Sequence, residues 1–209
     1  MSAHEQEGVI KFGYEIVAAE PVMAPCLKAL GAWRAVLRRL GLLGCDPGRY
    51  GGFGFGNVSH RVGSGRGFYI SASQTGHLEQ LRKSDWVEVL ECDPERNFLR
   101  ARGLARPSAE SLTHAAVYAA RSEVRCVLHV HSPEIYATAR RLRLPATGAG
   151  VEYGTPAMAR DVAQLLASAA TARAGVFVMA GHEDGVVAFG TSVAEAGRKL
   201  TCALVRALS

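Results

Sequence analysis

Aromatic residues are scarce in this sequence, 7% of 209 positions, although hydrophobic residues as a whole reach 48%. Small apolar residues and 23 glycines fill the difference, which suits closely packed α/β layers better than an all-β sandwich. No cysteine pair has the CxxC spacing: Cys26, Cys45, Cys92, Cys126 and Cys202 are scattered. An odd count with no secretory pattern argues for reduced thiols, so a cytoplasmic location is expected. No run approaches the roughly 20 apolar residues that span a bilayer, and no membrane partner is expected. Nor is there a basic run. The net charge of +5 is spread over several segments, with only short pairs such as Arg38–Arg39 and Arg140–Arg141. Nucleic acid is therefore not an expected partner, although a basic surface can help to draw in an anionic small substrate. Repeats and linkers are absent too. One globular domain follows, with an N-terminal segment at 1–24 and the domain proper at 25–209.

What is present divides into two rhythms. Residues 26–43 carry Leu27, Leu30, Val36, Leu37 and Leu40 near helical spacing, and the glycine-rich "GLLGCDPGRYGGFGFG" ends that helix. "NVSHRV" and "GFYISAS" read as short strands. "DWVEVLEC" alternates as a half-buried strand does and should pair with "NFLRARG" across the turn "DPER". In the second half, "SAESLTHAAVYAARS" reads as a helix with Ser108 as its N-cap, followed by the strand "VRCVLHVH" and by "PEIYATARRL", a helix with Pro133 in its first turn. Residues 155–172 read as one longer amphipathic helix, then come the strands "GVFVMAG" and "GVVAFG" and a closing helix over 192–208. The fold class is α/β, a sheet covered by helices.

The chemistry gathers around "CVLHVHSP". Strand residues i and i+2 face the same way, about 6.5–7 Å apart, so Val127, His129 and His131 share one face and Cys126, Leu128 and Val130 the other. The two imidazoles either converge on one metal ion or stand as ordinary hydrogen-bonded strand histidines. His182 follows another core strand and precedes a tight turn, where it can supply a third nitrogen or simply be polar surface. Three neutral imidazoles would leave a bound ion its full charge and open coordination positions, as in a catalytic rather than a structural site. Glu110, in the first turn of its helix, either complements the helix dipole or sits beside the metal as a ligand or proton carrier. His114, one turn later on the same face, reads as a partner of that site or a core-edge histidine. His60, Trp33 and Trp86 read as structural, and so does His77 unless it lines a pocket. The cysteines are assigned no chemistry.

Taken in order, "GFGNVSHRV", "FYISASQTG", "ARPSAES", "HVHSP" and "GHEDGVVAFG" resemble the class II aldolase/adducin family. The likeness runs from about Gly54 to the last helix. It implies a single domain with a central, mainly antiparallel sheet covered by helices, assembled as a four-fold homotetramer with sites at subunit interfaces. It implies one divalent ion, Zn2+ first, with Mn2+, Fe2+ or Co2+ as alternatives, on His129, His131 and His182. Glu110 falls on the catalytic acid/base. Asn57 falls on the anion-binding loop, Ser108 on a phosphate-contacting serine, and Ser73, Thr75 and Gly76, with Gln74, on a second anion loop whose backbone N–H groups could form a nest.

The implied activity is that of a metal-dependent carbon–carbon lyase acting on a small hydroxylated carbonyl compound, of sugar or sugar-phosphate type. The negative charge that develops beside the carbonyl would be carried by the ion's Lewis acidity. The same site could serve a dehydratase, a decarboxylase or an epimerase. An adducin-like scaffold and an iron-dependent oxygenase are the alternatives of other classes. Ala109 replaces a family serine, Gly54 a threonine, and "SASQTG" has an extra residue, so the substrate's anion is a phosphate, a carboxylate or absent. Tyr153 is the nearby candidate for the acid that protonates a leaving aldehyde. Asp184 in place of His182 would give a His/His/carboxylate set better suited to iron(II) or manganese.

Overall fold

Alternating apolar residues in the first half and helical spacing in the second build one α/β unit, seen in a computed structural model that describes residues 7–209. In chain order the elements are β1 (Gly13–Val17), α1 (Cys26–Arg39), β2 (Gly44–Cys45), β3 (Gly54–Phe55), β4 (Asn57–Arg61), β5 (Phe68–Ser71), β6 (Trp86–Asp93) and β7 (Phe98–Arg102). Then follow α2 (Ser111–Ala120), β8 (Cys126–His131), α3 (Pro133–Thr138), α4 (Pro156–Leu166), α5 (Ala169–Ala174), β9 (Val176–Val178), β10 (Gly185–Gly190) and α6 (Val193–Leu208). Eight strands form one sheet in the order β1-β7-β6-β5-β4-β8-β10-β9. Every neighbouring pair is antiparallel except β1 and β7.

The sheet is covered on both faces, which is why its central strand β8 is buried along its whole length. On one face, Phe68, Val89, Val127, Phe177 and Val187 pack with Leu112 of α2 and Met158 and Val162 of α4. On the other, Val58, Leu128, Val130 and Val186 pack with Leu30 and Leu37 of α1 and Leu200 of α6. The period of 2 thus splits β8 as expected, and His129 and His131 lie on the α2 face with Val127.

Two local expectations are corrected, and the end of the first helix and one further strand are defined. The first helix stops at Arg39, because Gly41 takes a left-handed conformation (φ +70°). The Leu42 N–H then bonds the Leu37 carbonyl at 3.0 Å and the Gly41 N–H bonds that of Arg38, a Schellman closure. That closure turns the chain so that the Leu42 carbonyl accepts the His131 N–H at 2.9 Å, tying the end of α1 to the end of β8. Ser108 is not the N-cap of α2. Glu110 holds that position without a side-chain cap, while the Ser108 hydroxyl accepts the Glu110 N–H at 3.3 Å. The helix expected over 155–172 is two helices, since Ser168 is extended and its hydroxyl accepts the Ala170 N–H, starting α5 afresh. Finally, residues 13–17 form a strand that the pattern did not single out. Among the described residues, no helix is long and apolar enough to cross a membrane.

Candidate metal centre

Three strands deliver the site. β8 ends in His129 and His131, and the Ser132 hydroxyl caps α3 by accepting the Ile135 N–H, so the chain turns away immediately. β10 pairs with β8, bringing Gly185 opposite His131. The turn between β9 and β10 carries His182, its N–H donating to the Met179 carbonyl and its carbonyl accepting from Gly185, each at 2.9 Å. β4 brings Asn57 opposite His129.

The three imidazoles converge, with ring centroids 4.8–5.3 Å apart. One nitrogen from each can be chosen so that all lie within 4.8 Å of one another. All three rings are buried. Burial holds His129 down to about 3 and keeps His131 and His182 well below the usual imidazole range, so all three are neutral at pH 7. Among the described residues, their Nε2 atoms have no hydrogen-bond partner. A buried polar atom without a partner costs about 1–3 kcal/mol, and three together need an explanation. A divalent cation is one that fits, since neutral imidazoles are its ligand form. Asn57 supports the fit. Its Nδ2 lies 3.3 Å from His129 Nδ1 while its Oδ1 has no partner among the described residues; with the amide turned over, that oxygen would accept the Nδ1–H and leave the Nε2 lone pair for a metal.

Two carboxylates border the imidazoles. Glu110, at the start of α2, is buried and places Oε1 3.8 Å from His182 Nε2. Glu7, in a segment without periodic pattern, places Oε1 3.6 Å from His131 Nε2 and Oε2 3.4 Å from His182 Nε2. Asp184 is engaged elsewhere, accepting the Tyr50 hydroxyl at 2.7 Å, and among the described residues it lies outside the group of His129, His131 and His182 that could hold an ion. Tyr50, also missed in the sequence, sets its ring 4.5 Å from that of His131 and accepts a bond from Arg49. Tyr153 lies against His182, ring centroids 4.4 Å apart, with its hydroxyl accepting the Val9 N–H at 3.0 Å.

The residues expected to bind an anion also come together. Asn57, Ser73, Gln74, Thr75, Gly76 and Ser108 line one small cleft that reaches Glu110 and Glu7. The Gln74 side chain occupies part of it, its Oε1 accepting the Gly54 N–H at 3.0 Å. Two donors are used within the protein: the Ser73 N–H goes to the Arg106 carbonyl and the Thr75 hydroxyl to that of Ala72. Gly76 is needed for close approach, because a Cβ there would collide with the Gly44 carbonyl. The loop is pinned from behind by the buried Arg34 guanidinium, which donates to the carbonyls of Thr75, Leu78 and Glu79. His77 stays exposed on the loop and His60 is half-buried.

A mixed α/β sheet with converging neutral imidazoles at its centre describes a class of candidate metalloproteins. Within that class, the chain belongs to the family described as Class II Aldolase and Adducin N-terminal domain, whose profile matches residues 45–207. A methylthioribulose-1-phosphate dehydratase of Leptospira biflexa is 38% identical over 78 residues, 37% of this chain and 36% of that protein. One from Leptospira interrogans is 39% identical over 82 residues, 38% of this chain and 32% of that protein. The match therefore spans about a third of the length of these relatives. Among solved structures, L-fuculose-1-phosphate aldolase from Thermus thermophilus aligns with a TM-score of 0.64 at 22% identity, covering 87% of this chain and 90% of that one. A sugar-phosphate aldolase from Thermotoga maritima aligns with a TM-score of 0.65 at 14% identity, covering 88% and 92%. These likenesses establish the fold.

Proposed function

We propose that this chain is a divalent-metal-dependent lyase that removes water from a small hydroxylated carbonyl compound of sugar-phosphate type. The observation that carries the reading is the set of three buried imidazoles whose Nε2 atoms lack hydrogen-bond partners among the described residues, with Glu110 beside them. His129, His131 and His182 would hold the ion, zinc first. When bound, it supplies Lewis acidity toward the substrate's carbonyl oxygen. Glu110 takes the proton from the carbon next to that carbonyl and returns it to the departing hydroxyl, so one carboxylate serves both halves of the elimination. Asn57 orients His129, and the cleft of Ser73, Thr75, Gly76 and Ser108 receives the anionic end once Gln74 yields its place.

Dehydration is preferred over carbon–carbon cleavage because the sequence relatives are named as dehydratases. Cleavage is the second reading, favoured by the aldolase fold neighbours. It requires an acid for the leaving aldehyde, a role Tyr153 would fill from beside His182. The assembly proposed is a homotetramer, to be read by light scattering.

The test is metal content per chain, followed by turnover of methylthioribulose 1-phosphate. About one divalent ion per chain is expected, lost in His182→Ala. The product should be lighter by one water, and Glu110→Gln should abolish its formation while keeping the metal. Release of an aldehyde fragment would favour cleavage. Absence of metal after reconstitution would overturn the reading and leave the adducin-like scaffold in its place.

A further inference from the structure

Among the described residues, the carboxylate closest to His131 and His182 is that of Glu7. Its two oxygens reach different rings, 3.6 Å from His131 Nε2 and 3.4 Å from His182 Nε2. Neither distance is that of a good hydrogen bond, which lies at about 2.7–3.2 Å, and neither nitrogen has a hydrogen-bond partner among the described residues. They do match another spacing. Two atoms bound to one tetrahedral zinc at about 2.0–2.1 Å stand roughly 3.4 Å apart. Glu110 is more distant, at 3.8 Å from His182 Nε2.

The position of Glu7 is built. Its side chain is buried, with 8% of the residue exposed. Gly8 follows in a left-handed conformation (φ +72°) and packs so closely on Gln74 that a Cβ would collide with the side-chain amide. The Val9 N–H donates to the Tyr153 hydroxyl, Lys11 Nζ bonds Glu152 Oε2 at 3.2 Å, and Phe12 enters the core beside β1. A chain anchored at these successive points has little freedom to withdraw its carboxylate.

We propose that Glu7 is a metal ligand: the N-terminal segment supplies a carboxylate that completes a set of three histidines and one acid, leaving Glu110 for proton transfer. This rests on the reading of the three histidines as a metal site. A carboxylate lowers the net charge of a site that otherwise offers only neutral donors, and its oxygens favour binding of a divalent ion. The N-terminal segment thereby becomes part of the metal centre.

The experiment is zinc affinity, by competition with a chromophoric chelator, together with the visible absorption spectrum of the cobalt(II) form. Wild type, Glu7→Gln, Glu7→Asp, Glu110→Gln and His182→Ala are compared, each checked for folding by circular dichroism. Glu7→Gln should weaken zinc binding at least tenfold and change the cobalt bands. Glu7→Asp, with its shorter reach, should fall between it and the wild type, and Glu110→Gln should have the smaller effect. Unchanged zinc affinity and unchanged cobalt bands in folded Glu7→Gln, with metal lost from His182→Ala, would overturn the assignment and leave the metal-site reading standing. A wild type that binds neither metal would overturn both.

Discussion

Strand β4 presents Asn57, Ser59 and Arg61 on one face, and they serve two unlike polar regions. At the Arg61 end, buried polar groups are largely satisfied by the protein itself. Arg61 donates to the carbonyls of Gly65, Tyr118, Arg121 and Val124. Ser59 Oγ lies 2.6 Å from His114 Nδ1 and 2.8 Å from the Tyr118 hydroxyl. At the Asn57 end, His129, His131 and His182 are as deeply buried, yet their Nε2 atoms find no hydrogen-bond partner among the described residues. Burial therefore does not distinguish a candidate ligand from a structural histidine. His114 Nε2 also lacks a partner among the described residues, but that ring stands alone with its Nδ1 on Ser59, whereas the other three converge on one another.

The largest expected effect uses acid against metal. Burial keeps His114, His129, His131 and His182 neutral, whereas in the unfolded chain a histidine titrates near pH 6.5. Below that pH the unfolded state binds more protons, so stability falls as pH falls, at up to about 1.4 kcal/mol per unit for each histidine. The window opens near 6.5 and closes for His129 at about 3. Between pH 6.5 and 5, each group contributes a loss of up to about 2 kcal/mol. Urea unfolding of metal-free protein at pH 7 and 5 should show this loss. Zinc should raise the midpoint strongly at pH 7 and less at pH 5, where protons compete for its ligands. Failure of zinc to move the midpoint at pH 7 would mean that the two regions differ only in their hydrogen bonds.

The Arg61 end comes next. Arg61→Met keeps much of the apolar stem but leaves four carbonyls without their donor, two of them at the end of α2. The expected cost is about 3 kcal/mol or more, measured by urea unfolding, with zinc content per chain unchanged. A loss of metal equal to that of His182→Ala would join the two regions into one functional unit.

How far the sequence foretold this contrast depends on the kind of signal. His129 and His131 were legible because a strand has period 2 and Pro133 ends it. His182 and Glu110 were legible through the order of the family's motifs. Glu7 was not, since a single glutamate before a glycine has no periodicity and reaches the site only through the tertiary course of residues 8–12. Tyr50 was hidden in the same way, in a glycine-rich loop read simply as the end of a helix. β1 escaped notice because it pairs in parallel at the sheet edge and is mostly exposed, so it shows no buried alternation. The break between α4 and α5 turns on one hydroxyl of Ser168, too local a cause to interrupt a helical pattern. His114 could be placed near Glu110 by spacing, but its bond to Ser59 required the strand to be seen.

The smallest effect tests the contrast most sharply, because Ser59 lies only two residues from Asn57 along β4. Ser59→Ala removes one small hydroxyl and leaves His114 Nδ1 and the Tyr118 hydroxyl short of a partner, at a cost of about 1–3 kcal/mol. The Arg61 end should lose that stability while zinc affinity stays within about twofold of wild type. Asn57→Ala should give the opposite result. It leaves the Ser59 bonds intact but removes the amide that holds His129, and a missing partner of this kind typically lowers metal affinity about 10–100-fold. Stability in urea and zinc affinity by chelator competition, measured on both variants, should therefore move independently. If they move together, the buried polar face of β4 is one coupled network, and the converging imidazoles owe their arrangement to Ser59 as much as to Asn57.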